Sequence, residues 1–349
     1  MNRRRSAFAT TSTSVKDLTP LLAVSTFHSL LALYTKLLAG KCLIHIGREG
    51  EESALVPRFY LRTFATPETR ESSDPQVWIF STQHGDPQLT NVKNIAAKRF
   101  LYSPKRPGGM RDWQMEERLQ NIESLLSSVW AQLATDFIDF YSDEALRKAI
   151  ALMVATLILR HPSEISEVKD IHAQLVAVLD HCSTDDYGNL IVGEVEHRGV
   201  LRPFDNAGYS KFREADSGDF HRMFVQLISD NAAWLAQELL KKRWWVSFTD
   251  TPSFITTDTP VVVVNPERQS FGINTPGTII SLPISPTRIL VLDDRLDQPK
   301  GRYYPLVMDG AAPFNYTARC KCERFMIASR PTDIVCAEML AWSNAFGEQ

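Results

Sequence analysis

Val56-Pro57-Arg58-Phe59-Tyr60-Leu61-Arg62-Thr63-Phe64 and, far along the chain, Phe254-Ile255-Thr256-Thr257-Asp258-Thr259-Pro260 set β-forming residues beside polar groups that a plain core segment would not need. Read with a period of two, the stretch from Leu55 to Phe64 is a strand with Arg58, Tyr60 and Arg62 on one face and Phe59 and Leu61 on the other. Two guanidiniums would then stand about 13 Å apart with a phenol between them, and such planar donor forks suit phosphate or carboxylate. An exposed strand face whose arginines pair with surface acids gives the same alternation. The second run ends a strand at a turn, where Asp258, flanked by Thr256 and Thr257, could bind a cation, act as a general base or grip an arginine. As an Asx-turn residue it would instead satisfy nearby backbone N–H groups. The two runs are expected to be neighbours in one sheet.

Outward from the first run, Gln76 to Ser81 reads as a second strand, joined to the first by a polar, proline-bounded connection. From Met115 the period changes: Met115, Leu119, Ile122, Leu126, Val129 and Leu133 form the stripe of an amphipathic helix reaching about Tyr141. A helix capped at Ser142 and stopped by Pro162 follows, then one capped at Ser163 and ending near His181. Thr184 to Tyr209, rich in Gly, predicts short strands and turns. Gly218 to Lys242 is a long amphipathic helix, after which short β-rich runs punctuated by prolines extend to Asp293. Helices near 313–322 and 332–345 enclose a strand at Phe325 to Ser329. The expected fold is α+β: an antiparallel or mixed sheet built from N- and C-terminal strands, with a central helical segment over 113–243 packed on it. Residues 51–345 are expected to form one domain, and 1–50, with Arg3 to Arg5 and a Ser/Thr-rich stretch, a leader-like or poorly ordered extension.

A net charge of -3 argues against a surface wholly shaped for nucleic acid or anionic lipid, so any such partner must be met locally. The five cysteines are odd in number and scattered, which points to a reducing, cytoplasmic compartment rather than a disulfide scaffold. No two of the eight histidines are four apart, and phosphate-loop, dinucleotide-turn and nucleophile-elbow motifs are absent. Leu21 to Leu38 is interrupted by His28 and Lys36, so no membrane span is expected.

Two further constellations carry charge, and a third a neutral amide. Glu116 and Glu123 lie seven apart on one helical face and, with partners from elsewhere, could take a divalent metal; as the solvated border of an amphipathic helix they would take none. Between Asn91 and Arg111 stand Lys93, Lys98, Arg99, Lys105, Arg106 and Arg111 with no acid, interleaved with Phe100 and Tyr102, a pattern suited to nucleic-acid contact and equally to a solvated loop. Asn231 sits in an apolar stripe, where its amide needs partners.

Leu55 to Phe64, Lys93-Asn94-Ile95-Ala96, Phe100-Leu101-Tyr102, the Glu116 to Glu123 helix, Phe254 to Pro260, Pro283-Ile284-Ser285-Pro286 and Asn315 together resemble, in order and spacing, the DUF4238 pattern over about residues 51–345. Ala54 stands where that pattern has histidine, so the resemblance supplies no histidine for metal or acid–base work. It implies no activity. It does imply that Arg58, Tyr60, Arg62, Glu116, Glu123, Thr256, Asp258 and Asn315 converge, with Thr257 beside them, on one polar cleft. Such a cleft would handle a phosphate-bearing ligand, as a metal-dependent hydrolase of nucleic acid with Asp258 and a helix glutamate as metal or base groups. The competing expectation is a non-catalytic binding or sensing module whose Arg/Asp cluster is a structural ion-pair network.

Overall fold

The computed structural model describes residues 52–54, 56–81, 87–95, 97–106, 108–160, 164–192, 194–197, 200–306 and 310–346; the expected extension over 1–50 lies outside them. Strand β1 (Glu52–Ala54) leads into α1 (Arg58–Thr63), which overturns the expected strand over 55–64. Tyr60, Leu61 and Phe64 are buried while Arg58 and Arg62 are exposed, so helical spacing and not alternation sets the faces. Pro57, with φ of -56°, starts the turn where its missing N–H costs nothing. In a six-residue helix packing outweighs the β preference of Phe, Tyr and Thr, because intrinsic preferences are small beside burial.

Next come β2 (Gln76–Ser81), β3 (Gln88–Asn91) and β4 (Ala97–Arg99), then α2 (Gln114–Ser127) and α3 (Trp130–Thr135). The single helix expected to reach Tyr141 is broken because Ser127 and Ser128 turn their hydroxyls back onto the carbonyls of Ser124 and Leu125, competing with the helical ladder. In α4 (Glu144–Leu159) residues 149–151 and 153–157 are all buried, as an all-round apolar helix requires, and Asp143 rather than Ser142 caps it. After α5 (Glu164–Leu179), β5 (Glu194–His197) and β6 (Val200–Pro203) form a hairpin. The next helix, α6 (Asn206–Arg213), falls where only strands and turns were expected, and Asp205 caps it through the Gly208 N–H. Helix α7 (Ser217–Lys241) begins at a capping box made by Asp216 and Asp219.

Later strands are β7 (Arg243–Phe248), β8 (Thr256–Thr257), β9 (Val262–Val264), β10 (Ile279–Ser285), β11 (Arg288–Asp293) and β12 (Tyr303–Pro305), followed by α8 (Ala312–Lys321), β13 (Phe325–Ala328) and α9 (Thr332–Phe346). One sheet runs β3-β2-β13-β8 and so joins early strands to late ones; the other runs β12-β7-β11-β10-β9, mixed because β12 lies parallel to β7. The protein is α+β. Among the described residues no helix is long and apolar enough to cross a membrane.

Two compact units divide these residues. Residues 169–215 form the smaller, in which Asp180 takes hydrogen bonds from Tyr209 and Arg213 and the His172 ring donates to the Phe212 carbonyl. The larger holds both main sheets, α1 to α4 and α7 to α9, around a core that includes Phe64, Leu126, Val154, Phe224 and Trp244.

In the larger unit the buried Arg243 grips Asp293 through two hydrogen bonds of 2.8 and 2.5 Å, and Trp245 adds a third at 2.9 Å. Burial pushes the Asp293 carboxyl up, but these bonds outweigh it and hold the group below the usual carboxylate range. Its stabilisation is therefore present above the unfolded pKa of about 3.9 and lost as pH falls through the folded one. Asp293→Ala, which strands a buried guanidinium, is expected to cost about 3–5 kcal/mol in urea unfolding at pH 7, and the gap from wild type should narrow below about pH 4.

Candidate functional site

Between Pro283 and Ser285 the β10–β11 ladder shifts register, leaving Ile284 outside the pairing. A bulge of this kind frees a backbone group for another use. The Ile284 carbonyl accepts the Trp130 indole N–H at 3.2 Å and shares the Thr63 hydroxyl, at 3.2 Å, with the nearer Tyr60 carbonyl at 2.7 Å, so α3 and α1 meet at one point of the sheet. Ser285 adds a bond from its hydroxyl to the Ala134 carbonyl at 3.4 Å.

Around that point lies a cavity of about 430 Å³, within the range of small-molecule sites. Its apolar walls come from Phe59 and Trp130, whose rings meet edge to face at 5.5 Å, from Ala131 and Ala134, and from Pro252 and Pro286. Pro252 is held in place by its neighbour: the Ser253 carbonyl accepts from Asn315 Nδ2 at 2.8 Å and from Arg330 at 3.2 Å. Arg62 and Arg70 supply positive charge and Glu71 negative charge. Arg62 donates to the carbonyls of Arg70 and Ser72 at 3.0 and 3.1 Å, and Arg70 donates to the Ala65 carbonyl at 3.2 Å. Neither is paired with a carboxylate among the described residues, and Arg70 Nε is buried with no hydrogen-bond partner.

Of the candidate site residues named from the sequence, Arg62 alone lines this cavity. Tyr60 is fully buried and its phenol lies 2.7 Å from Thr256 Oγ1, a bond between residues 196 apart. The two opening runs do meet, but through side chains of a helix and a strand rather than as paired strands. Thr257 Oγ1 accepts from the Thr259 N–H at 3.1 Å. Asp258 accepts from the N–H groups of Glu323 and Arg324 at 3.2 and 2.8 Å, while its own N–H donates to the Phe325 carbonyl at 3.1 Å. Asn315 accepts from the Ile255 N–H at 3.1 Å as well as donating to Ser253. These groups satisfy backbone, the role that burial demands of them. Asn231 likewise donates to the Leu227 carbonyl one turn back.

Glu123 pairs at 3.3 Å with Arg160, a residue only 2% exposed, and burial raises the Glu123 pKa against that attraction. Glu116 acts electrostatically on the buried Tyr102 phenol beside the same pair, and neither glutamate lines the cavity. Arg58 is exposed on α1 and does not line it either. In the basic segment Lys93 pairs with Asp74 at 2.6 Å and Arg106 with Asp112 at 3.0 Å, while Arg111 stacks 3.6 Å over Phe100 and donates to the Ser103 carbonyl. Lys105 forms an isolated β-bridge with Arg111, and its carbonyl accepts from Arg222. The side chains of Lys98 and Arg99 lie outside the described residues. Among the described residues no three or more His, Cys, Asp or Glu side chains cluster so as to hold a metal ion.

A family model described as "Protein of unknown function (DUF4238)" matches residues 55–332. The chain belongs to the DUF4238 family. No curated protein and no solved structure matches it. Every residue lining the cavity falls inside the DUF4238 match, and Phe59 to Thr63 and Ser285-Pro286 belong to runs that carried the resemblance. Arg70, Glu71, Trp130 and Thr287 were not singled out. Only Pro286, next to Thr287, signalled any of them, because Arg70 and Glu71 stand in a stretch whose prolines mark it as a connection.

Asp258 provides a pH test. Burial outweighs the two backbone bonds and raises its pKa above the usual carboxylate value. Its contribution to stability is then fully present below the unfolded pKa of about 3.9 and lost as pH rises through the folded value. Asp258→Asn keeps one acceptor oxygen but cannot ionise, so the wild-type loss of stability across that window should flatten in urea titrations of the variant. Parallel pH profiles for the two proteins would refute the assignment.

Proposed function

We propose that this DUF4238 protein is a ligand-binding module whose cavity takes a small molecule with an anionic head, phosphate or carboxylate, and an apolar body. The observation that carries this reading is the pair Arg62 and Arg70: backbone carbonyls fix their direction, no carboxylate among the described residues neutralises them, and both line a concave apolar site. Oriented but uncompensated guanidiniums offer charge-assisted bonds to an incoming anion with little reorganisation. The walls formed by Phe59, Pro252 and Pro286 would receive the apolar part.

A metal-dependent hydrolase of nucleic acid would need Asp258, Glu116 and Glu123 to present free oxygens at one accessible point. The bonds of Asp258 to two backbone N–H groups and of Glu123 to Arg160 favour the non-catalytic reading. Among the described residues four cysteines, Cys182, Cys320, Cys322 and Cys336, are free, which supports a reducing, cytoplasmic setting.

Isothermal titration calorimetry with 3-phenylpropionate and phenyl phosphate tests the reading. Wild type should bind both, and Arg70→Ala should weaken each about tenfold or more, the loss of one charge-assisted bond of about 1.5–3 kcal/mol. Arg70→Lys, which keeps the charge without the fork, should fall between them. Identical titrations for wild type and Arg70→Ala would remove the cavity as the anion site.

A further inference from the structure

We propose that the ligand is a zwitterion, an α-amino acid or short peptide with an apolar side chain, and that Glu71 selects it. This rests on the anion-binding reading above and narrows it. Glu71 lines the same cavity as Arg62 and Arg70, directly follows Arg70 in the chain, and has no cationic partner among the described residues. Opposite charges sharing one wall ordinarily pair. Here they stay apart, because the guanidinium donors are directed onto the carbonyls of Ala65, Arg70 and Ser72 by the turn that follows α1.

A cavity with fixed charges of both signs distinguishes its ligands by charge pattern. A monoanion gains from the arginines and is repelled by Glu71, and a dianion is repelled about twice as strongly. An amino acid sets its carboxylate against Arg62 and Arg70 and its ammonium against Glu71, so the same acid that repels simple anions attracts it. Specificity of this kind combines an attractive and a repulsive element in one residue. The side chain of such a ligand would meet Phe59, Trp130, Ala134 and Pro286, an apolar surface with no charge of its own.

The test is a matched series of L-phenylalanine, 3-phenylpropionate and phenethylamine, which share a phenyl body and differ only in charge. Each is titrated by calorimetry into wild type, Glu71→Gln and Arg70→Ala. Glu71 is exposed and its side chain makes no bond among the described residues, so its replacement should leave the fold intact. Wild type should bind phenylalanine tightest. Glu71→Gln should weaken phenylalanine about fivefold, the upper range for an exposed ion pair, and should strengthen 3-phenylpropionate, whereas Arg70→Ala should weaken both. If Arg70→Ala weakens 3-phenylpropionate but phenylalanine binds no tighter than it, or Glu71→Gln fails to shift the two ligands in opposite directions, the zwitterion is excluded and the anion site stands. If Arg70→Ala leaves every ligand unaffected, both proposals fall.

Discussion

The carbonyl of Ile284 holds three segments of the chain at one point. A regular ladder would direct that oxygen to a neighbouring strand, but the register shift between Pro283 and Ser285 frees it for the indole of Trp130 and the hydroxyl of Thr63. Without the shift, α1 and α3 would have no common anchor on the sheet. The cavity walls on those helices would then be set by apolar contact alone, which is non-directional.

Burial explains why several residues that resemble catalytic groups are engaged in hydrogen bonds and ion pairs within the fold. Where β8, α8 and β13 meet, backbone groups of the larger unit lie outside the strand and helix ladders, and partial burial makes an unmade bond there costly. Asp258 and Asn315 supply partners for backbone groups there, and Tyr60 bonds the buried Thr256 hydroxyl. Arg243 with Asp293 is a buried ion pair and Arg160 with half-buried Glu123 a partly buried one in the same unit, retained although an apolar pair of similar volume would often be as stable.

The parts of the fold that were legible in sequence are those with a long period. The stripe from Met115 to Leu126, the all-apolar Ala149 to Leu157 and the long helix ending at Lys241 each repeat their signal over several turns, and each is found. Joining early and late strands in one sheet was also legible, from β-rich runs at both ends. The six residues of α1 were misread because Arg-Phe-Tyr-Leu-Arg alternates perfectly and yet buries Tyr60, Leu61 and Phe64 at helical spacing; over so short a span both periods fit. For the cavity, Arg62 and the Pro283 to Pro286 run were visible. Arg70 and Glu71 were not, since a charged pair in a turn does not differ from any other solvated pair until the turn is known to bend over an apolar wall.

The Tyr60–Thr256 bond closes a loop of nearly two hundred residues. Loop-closure entropy rises only logarithmically with length, so the contact is thermodynamically tolerable, but it cannot form until most of the chain is present. Phe59, Arg62 and Trp130 leave the ribosome long before Pro252, Pro286 and Thr287. A nascent chain therefore has half a cavity, with its arginines exposed to water. A ligand that fills the finished cavity stabilises only completed molecules and, by mass action, stabilises the long closure along with the site. If the cavity binds as proposed, the ligand's concentration would help to set how much of the protein survives surveillance by proteases, and abundance itself would become a readout of the small molecule.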